Sequence, residues 1–146
     1  MPTIELLVRL KVPDNVAITA FHTLERMGYN DLKKLERHDY YKFDFEGDIG
    51  KFKGKIAKTD ILVNPNKHKF SFGIEKNEKN NVLVQDLENG SGLLDALKRL
   101  GFKEIKKVEK GVIWSMQIEG KGAKKMAEDM ARGLLMNDNY QGYRII

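Results

Sequence analysis

The sequence predicts an α+β fold of two tandem β-α-β-α-β units with antiparallel sheets, helices on one face and a pseudo-two-fold relation. One observation is a repeat: residues 20–48 align without a gap with residues 93–121, with 8 identities in 29 positions. The other is hydrophobic patterning of the same kind in both copies. One register kept across helix and strand ends indicates a duplication, which predicts domains at residues 1–73 and 74–146.

The first unit opens with hydrophobic residues that alternate from Ile4 to Val12, which predicts a strand over 3–12. Apolar residues at helical spacing predict a helix over 15–27. Gly28 follows this helix as its C-cap, since a positive φ is readily adopted by glycine. The remaining predicted elements of this unit are a strand over 32–46, a helix over 49–62 and a strand over 68–73.

The second unit repeats this order after residues 74–81, a polar stretch without periodicity that predicts a linker. Its predicted elements are a strand over 82–84, a helix over 93–100 capped by Gly101, a strand over 113–119, a helix over 123–136 and a strand over 143–146. A unit of about 73 residues covers its sheet incompletely, so we expect the units to pack or pair with each other. Assembly into a homo-oligomer through sheet pairing is a further expectation.

Composition excludes several classes of protein. The chain has 146 residues, 41% of them hydrophobic, and no cysteine, which excludes disulfide frameworks, thiolate nucleophiles and cysteine-built metal sites. Its formal charge of +5 is divided evenly between the two halves. A basic excess so dispersed argues against a nucleic-acid partner, and no apolar run is long enough for a membrane span. We expect a cytoplasmic protein.

The residues that could carry chemistry form no recognisable catalytic arrangement. His22, His38 and His68 lack metal-ligand spacing, and no nucleophile and base motif is present. We therefore expect no catalytic residue, no cofactor and no metal site. The lysine-rich segment KFKGKIAK (51–58) indicates a solvated helix face, with a docking patch for an acidic surface as the alternative.

Two asparagine-containing turns are the candidate partner-binding residues. The offset of 73 aligns ILVNPN (61–66) with LLMNDN (134–139), so that Asn occupies the first and third turn positions in both copies. The predicted interface residues are Asn64, Asn66, Asn137 and Asn139. The alternative is that each Asn caps its helix or adopts a left-handed backbone.

The repeat resembles the PurS family, the small subunit of phosphoribosylformylglycinamidine synthase. The resemblance rests on ALKRLGF (96–102), on Ile105, Val108 and Gly111 at their spacing, and on AEDMARGLLMN (127–137). The first unit departs from it with His38 at the position of Gly111, and with Pro65. Two units in one chain are similar to the N-terminal PurS-like region of large-type PurL.

The resemblance implies a non-catalytic structural subunit of the synthase in purine biosynthesis, an ATP- and glutamine-dependent ligase. Its implied partners are a PurQ-type glutaminase and a PurL-type synthetase, which the subunit bridges so that ammonia passes between them.

Two other functions remain open from the residues alone. A small-molecule-sensing regulatory α+β module would bind a ligand at its glycine-containing turns. A nucleic-acid module would use Tyr40, Tyr41 and Trp114 to stack bases, although these positions alternate with core positions.

Overall fold

In a computed structural model of the chain, residues 2–73, 80–86, 91–136 and 141–146 are described. The strands are β1 (Thr3–Leu10), β2 (Leu32–Phe45), β3 (His68–Phe72), β4 (Asn80–Asp86), β5 (Ile105–Ile118) and β6 (Gln141–Ile145). The α-helices are α1 (Asn15–Arg26), α2 (Ile49–Ile56), α3 (Ser91–Arg99) and α4 (Ala123–Met130), and a π-helix, Ala131–Leu135, follows α4. The mixed α and β content of the prediction is confirmed.

The strands form one antiparallel sheet in the order β3-β1-β2-β5-β4-β6. Strand β1 pairs with β2 and β3, with Leu6 opposite Tyr41 on one side and Phe72 on the other. Strand β4 pairs with β5 and β6, with Val82 opposite Trp114 and Ile145. The tandem duplication and its pseudo-two-fold relation remain predictions.

The chain divides into two compact units, and each takes segments from both halves of the sequence. Unit 1 comprises Met1–Val12, Asp39–Ile74 and Glu88–Lys110. Unit 2 comprises Pro13–His38, Glu75–Leu87 and Gly111–Ile146. Both long strands, β2 and β5, therefore contribute residues to each unit.

The core of unit 1 contains residues of β1, β2, α2, α3 and β5. Aromatic side chains dominate it: the rings of Phe45 and Phe52 are stacked with centroids 4.0 Å apart, and Phe102 meets Phe52 edge-on. The other buried members are Ile4, Leu6, Val8, Phe43, Ile56, Leu62, Val63, Leu97, Ile105 and Val108. Leu97 and Ile105 are fully buried here although they come from the second half of the sequence.

The core of unit 2 consists mainly of aliphatic and methionine side chains. Its buried members are Ala17, Leu24, Leu32, Leu35, Val82, Val84, Trp114, Met116, Ala127, Met130 and Ala131. The α1 helix begins at the N-cap Asp14, whose carboxylate accepts hydrogen bonds from the backbone of Val16 and Ala17. Arg37 of β2 donates to both oxygens of the same carboxylate at 2.9 and 3.2 Å, which fixes the start of the helix against the strand.

The glycine helix ends predicted from the sequence are confirmed. Gly28 and Gly101 each follow a helix with φ of 101°, a conformation that disfavours side chains. Phe43 and Phe45 are buried, and Tyr41 packs against the same core. The aromatic residues of the nucleic-acid alternative are core residues, since Tyr40 is 1% exposed and Trp114 is 6% exposed.

Several element boundaries differ from the predictions. Strand β5 begins at Ile105 rather than 113, because Gly111 lies inside a continuous strand. Helix α2 ends at Ile56 rather than 62, and the Thr59 hydroxyl then donates to the Lys55 carbonyl. Of the predicted linker 74–81, residues 80 and 81 begin β4 and residues 74–79 lie outside the described part of the chain.

Gly111 is at a position where no side chain fits. A Cβ at this residue would lie 2.6 Å from the backbone oxygen of Val84 on the neighbouring strand, and 2.9 Å from Cγ of Gln85. The Val84 oxygen belongs to the backbone, so it can move only if the strand moves. The close approach of β4 thus explains the glycine of the sequence motif.

Replacing Gly111 with Ala is expected to lower the free energy of unfolding by about 1–3 kcal/mol, because the strands must separate to admit the methyl group. The control is Gly54→Ala in α2, where a Cβ meets nothing within 4 Å and φ is negative. That change should raise the free energy of unfolding by about 0.5–1 kcal/mol through helix propensity. Urea denaturation of both variants measures the difference, and equal stabilities would contradict the steric explanation.

Burial of Tyr41 makes the free energy of unfolding depend on pH in the alkaline range. Burial, with a smaller contribution from the charge of Asp39, raises the pKa of Tyr41 above its ordinary value of 10.0. As the pH rises above about 10, Tyr41 loses its proton in the unfolded chain before it does so in the folded chain. Deprotonation therefore favours the unfolded state, and the free energy of unfolding falls over this pH range. Thermal denaturation from pH 9 to 11 should show a smaller loss of stability in Tyr41→Phe than in the wild type.

Candidate functional site

The predicted turn Asn64-Pro65-Asn66 connects the end of the helical region to β3. The Asn64 side-chain oxygen accepts a hydrogen bond from the Asn66 backbone at 3.0 Å, and the Asn64 backbone N–H donates to Nδ1 of His68 at 3.0 Å. The Lys11 ammonium donates to the Pro65 carbonyl. Asn64 is half-buried and Asn66 is exposed.

These contacts give Asn64 and Asn66 different roles. The Asn64 side chain forms the turn itself, which fits the capping alternative. Asn66 presents its side chain to solvent, as a partner-binding residue must. The equivalent residues Asn137 and Asn139 lie outside the described residues, so the interface assignment of all four remains a prediction.

The lysines of KFKGKIAK are partly engaged within unit 1. The Lys55 ammonium donates to the Gly101 carbonyl at 3.0 Å and to Glu104 at 3.1 Å, and it lies 4.4 Å from the centre of the Phe102 ring. Lys53 lies 5.2 Å from the centre of the Phe72 ring. Two of the four cations thus secure α2 against its surroundings, which the helical pattern alone did not indicate.

A surface pocket of about 270 Å³ lies beside Lys55 in unit 1. It is lined by Glu46, Asp48, Lys51, Phe52, Lys55 and Glu104. Pockets for small organic ligands are larger, about 300–1,000 Å³, and mostly apolar. The charged lining and the small volume do not favour the sensor alternative at this position.

Within each unit, residues at the ends of β2 and β5 contact each other. In unit 1 the Glu46 N–H donates to the Glu104 carbonyl at 3.0 Å, and Lys106 lies 3.9 Å from the Glu46 carboxylate. In unit 2 the Glu119 N–H donates to the Asp31 carbonyl at 2.9 Å. Lys33 lies 4.0 Å from the Glu119 carboxylate.

Both of these unit 1 contacts thus have a counterpart at an offset of 73 residues in unit 2. Lys33 aligns with Lys106 in the repeat, and Glu46 aligns with Glu119. The two ion pairs, Lys33 with Glu119 and Lys106 with Glu46, lie at corresponding strand ends. All four side chains are largely exposed, so their ion pairs contribute little to stability.

The histidines occupy local structural positions. His22 Nδ1 lies 3.0 Å from Glu25, His38 Nε2 lies 3.8 Å from Glu36, and His68 accepts from the turn at Asn64. Among the described residues, no group of three or more His, Asp and Glu could hold a metal ion. In the same part of the chain, no helix is long and apolar enough to cross a membrane.

Residues 87–146 match the family model described as PurS: Phosphoribosylformylglycinamidine (FGAM) synthase. The resemblance to PurS is confirmed over these residues, which include α3, β5, α4 and β6. Comparison with curated proteins gives no match.

The turn contacts predict different effects for the two described asparagines. Asn64→Ala removes the acceptor for the Asn66 N–H and should lower the free energy of unfolding by about 1 kcal/mol. Asn64→Asp retains an acceptor oxygen and should preserve most of that stability. Asn66→Ala should change it by less than about 0.5 kcal/mol, because its side chain is exposed. Urea denaturation compares the three, and an equal loss in Asn64→Ala and Asn66→Ala would contradict this account.

Proposed function

We propose, with the PurS match over residues 87–146 as the premise, that the whole chain is a tandem PurS-type protein and a non-catalytic subunit of FGAM synthase. The match itself supports a subunit role in purine biosynthesis. Its extension to the first half rests on the repeat alignment and on the contacts that recur at the offset of 73 residues.

The subunit bridges a PurQ-type glutaminase and a PurL-type synthetase in the cytoplasm and supports ammonia transfer between them. Support comes from what the repeated residues do. Leu24 and Leu97 fill the cores, Gly28 and Gly101 end helices, and the repeated lysines and glutamates pair at strand ends. These are structural roles, as expected for a protein that organises other subunits.

The turns containing Asn66 and Asn139 are the proposed contact points with these partners. Asn66 is exposed at a tight turn whose geometry Asn64 fixes, so that its amide is presented in a defined position. An amide that both donates and accepts hydrogen bonds suits recognition of a partner's backbone.

Reconstitution with a purified glutaminase and synthetase of FGAM synthase tests the bridging role. Glutamine-dependent synthesis should depend on this chain, whereas synthesis from free ammonia by the synthetase should not, because only the first needs ammonia to be transferred. The chain alone should show no glutaminase or ATPase activity. Glutamine-dependent activity that is equal with and without the chain would refute the proposal.

The double variant Asn66→Ser and Asn139→Ser tests the contact points within the same assay. Its glutamine-dependent activity should fall while its melting temperature and the ammonia-dependent activity stay unchanged. A loss of activity only in proportion to stability would assign both turns a structural role.

A further inference from the structure

One end of the β1 and β3 pair carries like charges opposite each other. Arg9 of β1 is directly opposite Lys69 of β3. One step beyond the strands, the Lys11 N–H donates to the Lys67 carbonyl at 2.9 Å, so that a second pair of cationic residues follows the first. We call Arg9, Lys11, Lys67 and Lys69 the basic ladder, and all four are exposed.

The basic ladder has no ion-pair partner within the described residues, although the Lys11 ammonium is held by the Pro65 carbonyl. Like charges directly opposite on neighbouring strands destabilise a sheet. Unit 1 as a whole also carries the excess charge of the protein: its segments contain 15 Lys and Arg against 10 Asp and Glu, whereas those of unit 2 contain 11 of each. The uncompensated cations thus lie in the unit that is already basic.

Among the described strands, β3 is also an edge of the sheet, with β1 as its neighbour in the strand order. The outer backbone groups of an edge strand can pair with an added strand. Side chains of β3 alternate, so Lys69 lies on one face while Phe70 and Phe72 lie on the other. Phe70 is 46% exposed.

We propose that β3 is a docking edge for an extended protein segment in which acidic and apolar residues alternate. Its backbone extends the sheet, its acidic side chains neutralise Lys69 and Arg9 and reach Lys67, and its apolar side chains cover Phe70. The proposal goes beyond the subunit role above and does not depend on it, since it follows from the charges and the edge alone.

Other occupants fit these features less well. A nucleic acid would use the cations but not the backbone edge, and the exposed ring of Phe70 lies on the face opposite Lys69, so stacking and phosphate contacts would not coincide. A second copy of this strand, HKFSF, would bring further lysine to the basic ladder and increase the repulsion.

The test uses the full-length chain and a fluorescent ten-residue peptide that alternates Glu and Val, with a Gln and Val peptide as the uncharged control. The acidic peptide should bind more tightly than the control, weaken with added salt, and shift the amide NMR signals of residues 68–72. Lys67→Glu with Lys69→Glu should weaken binding by about tenfold or more. The matched control, Lys124→Glu with Lys125→Glu in α4, makes the same charge change on exposed residues of unit 2 and should leave binding within about twofold.

A second measurement examines the repulsion without any ligand. Lys69→Gln should raise the melting temperature by about 1–2 °C, because it removes the charge opposite Arg9, whereas Lys124→Gln should not. Binding that is unaffected by the β3 charges would overturn the proposal. So would tighter competition by a single-stranded oligonucleotide, or a dimer in sedimentation that Lys69→Glu disrupts.

Discussion

The two hydrophobic cores depend on a pair of 14-residue strands, β2 and β5, that each supply side chains to both compact units. Leu32 and Leu35 at one end of β2 lie in the core of unit 2, while Phe43 and Phe45 at the other end lie in the core of unit 1. Strand β5 is arranged correspondingly. Each of these strands contributes to both units, so neither core can be completed from one half of the sequence. The positions of the helices are therefore set by the two long strands.

This constraint fits several of the residues that are identical between the two aligned segments. The glycines that end α1 and α3 allow the chain to turn directly into the long strands, and the lysine and glutamate pairs stand where those strands begin and end. Side chains that only fill volume are exchanged more freely, as with Phe43 and Met116, since cores tolerate changes that keep the overall volume.

Features that depend on neighbours in sequence could be predicted from the sequence alone. The helix caps at Asp14 and Gly28, the inward face of Phe43 and Phe45, and the turn at Asn64 all follow from local spacing. The start of β5 could not, because a glycine inside a strand is normally unfavourable, and only the approach of the Val84 carbonyl makes it necessary. The end of α2 could not be predicted either, because no glycine or proline lies between Ile56 and Asn64.

The candidate interface divides along the same line. Its turn could be predicted because Asn, Pro and Asn are turn residues, and its described half does form a turn. The basic ladder could not be predicted, because Arg9 and Lys69 are distant in sequence and only the register of β1 against β3 brings them together. The excess of positive charge in unit 1 is also not visible in the two halves of the sequence, because each compact unit takes residues from both halves.

The placement of α3 has a consequence for the order of events during synthesis. Leu97 and Phe102 complete a core to which β1 also contributes, so β1 is synthesised well before these two members of its core. Domains otherwise tend to fold from the N-terminus as they emerge. Here Ile4, Leu6 and Val8 share their core with first-half residues such as Phe43 and Phe52, but the core is complete only when the second half supplies Leu97 and Phe102, and such long-range closure is slow. We therefore expect the nascent first half to have an incompletely covered core, the kind of state that chaperones bind.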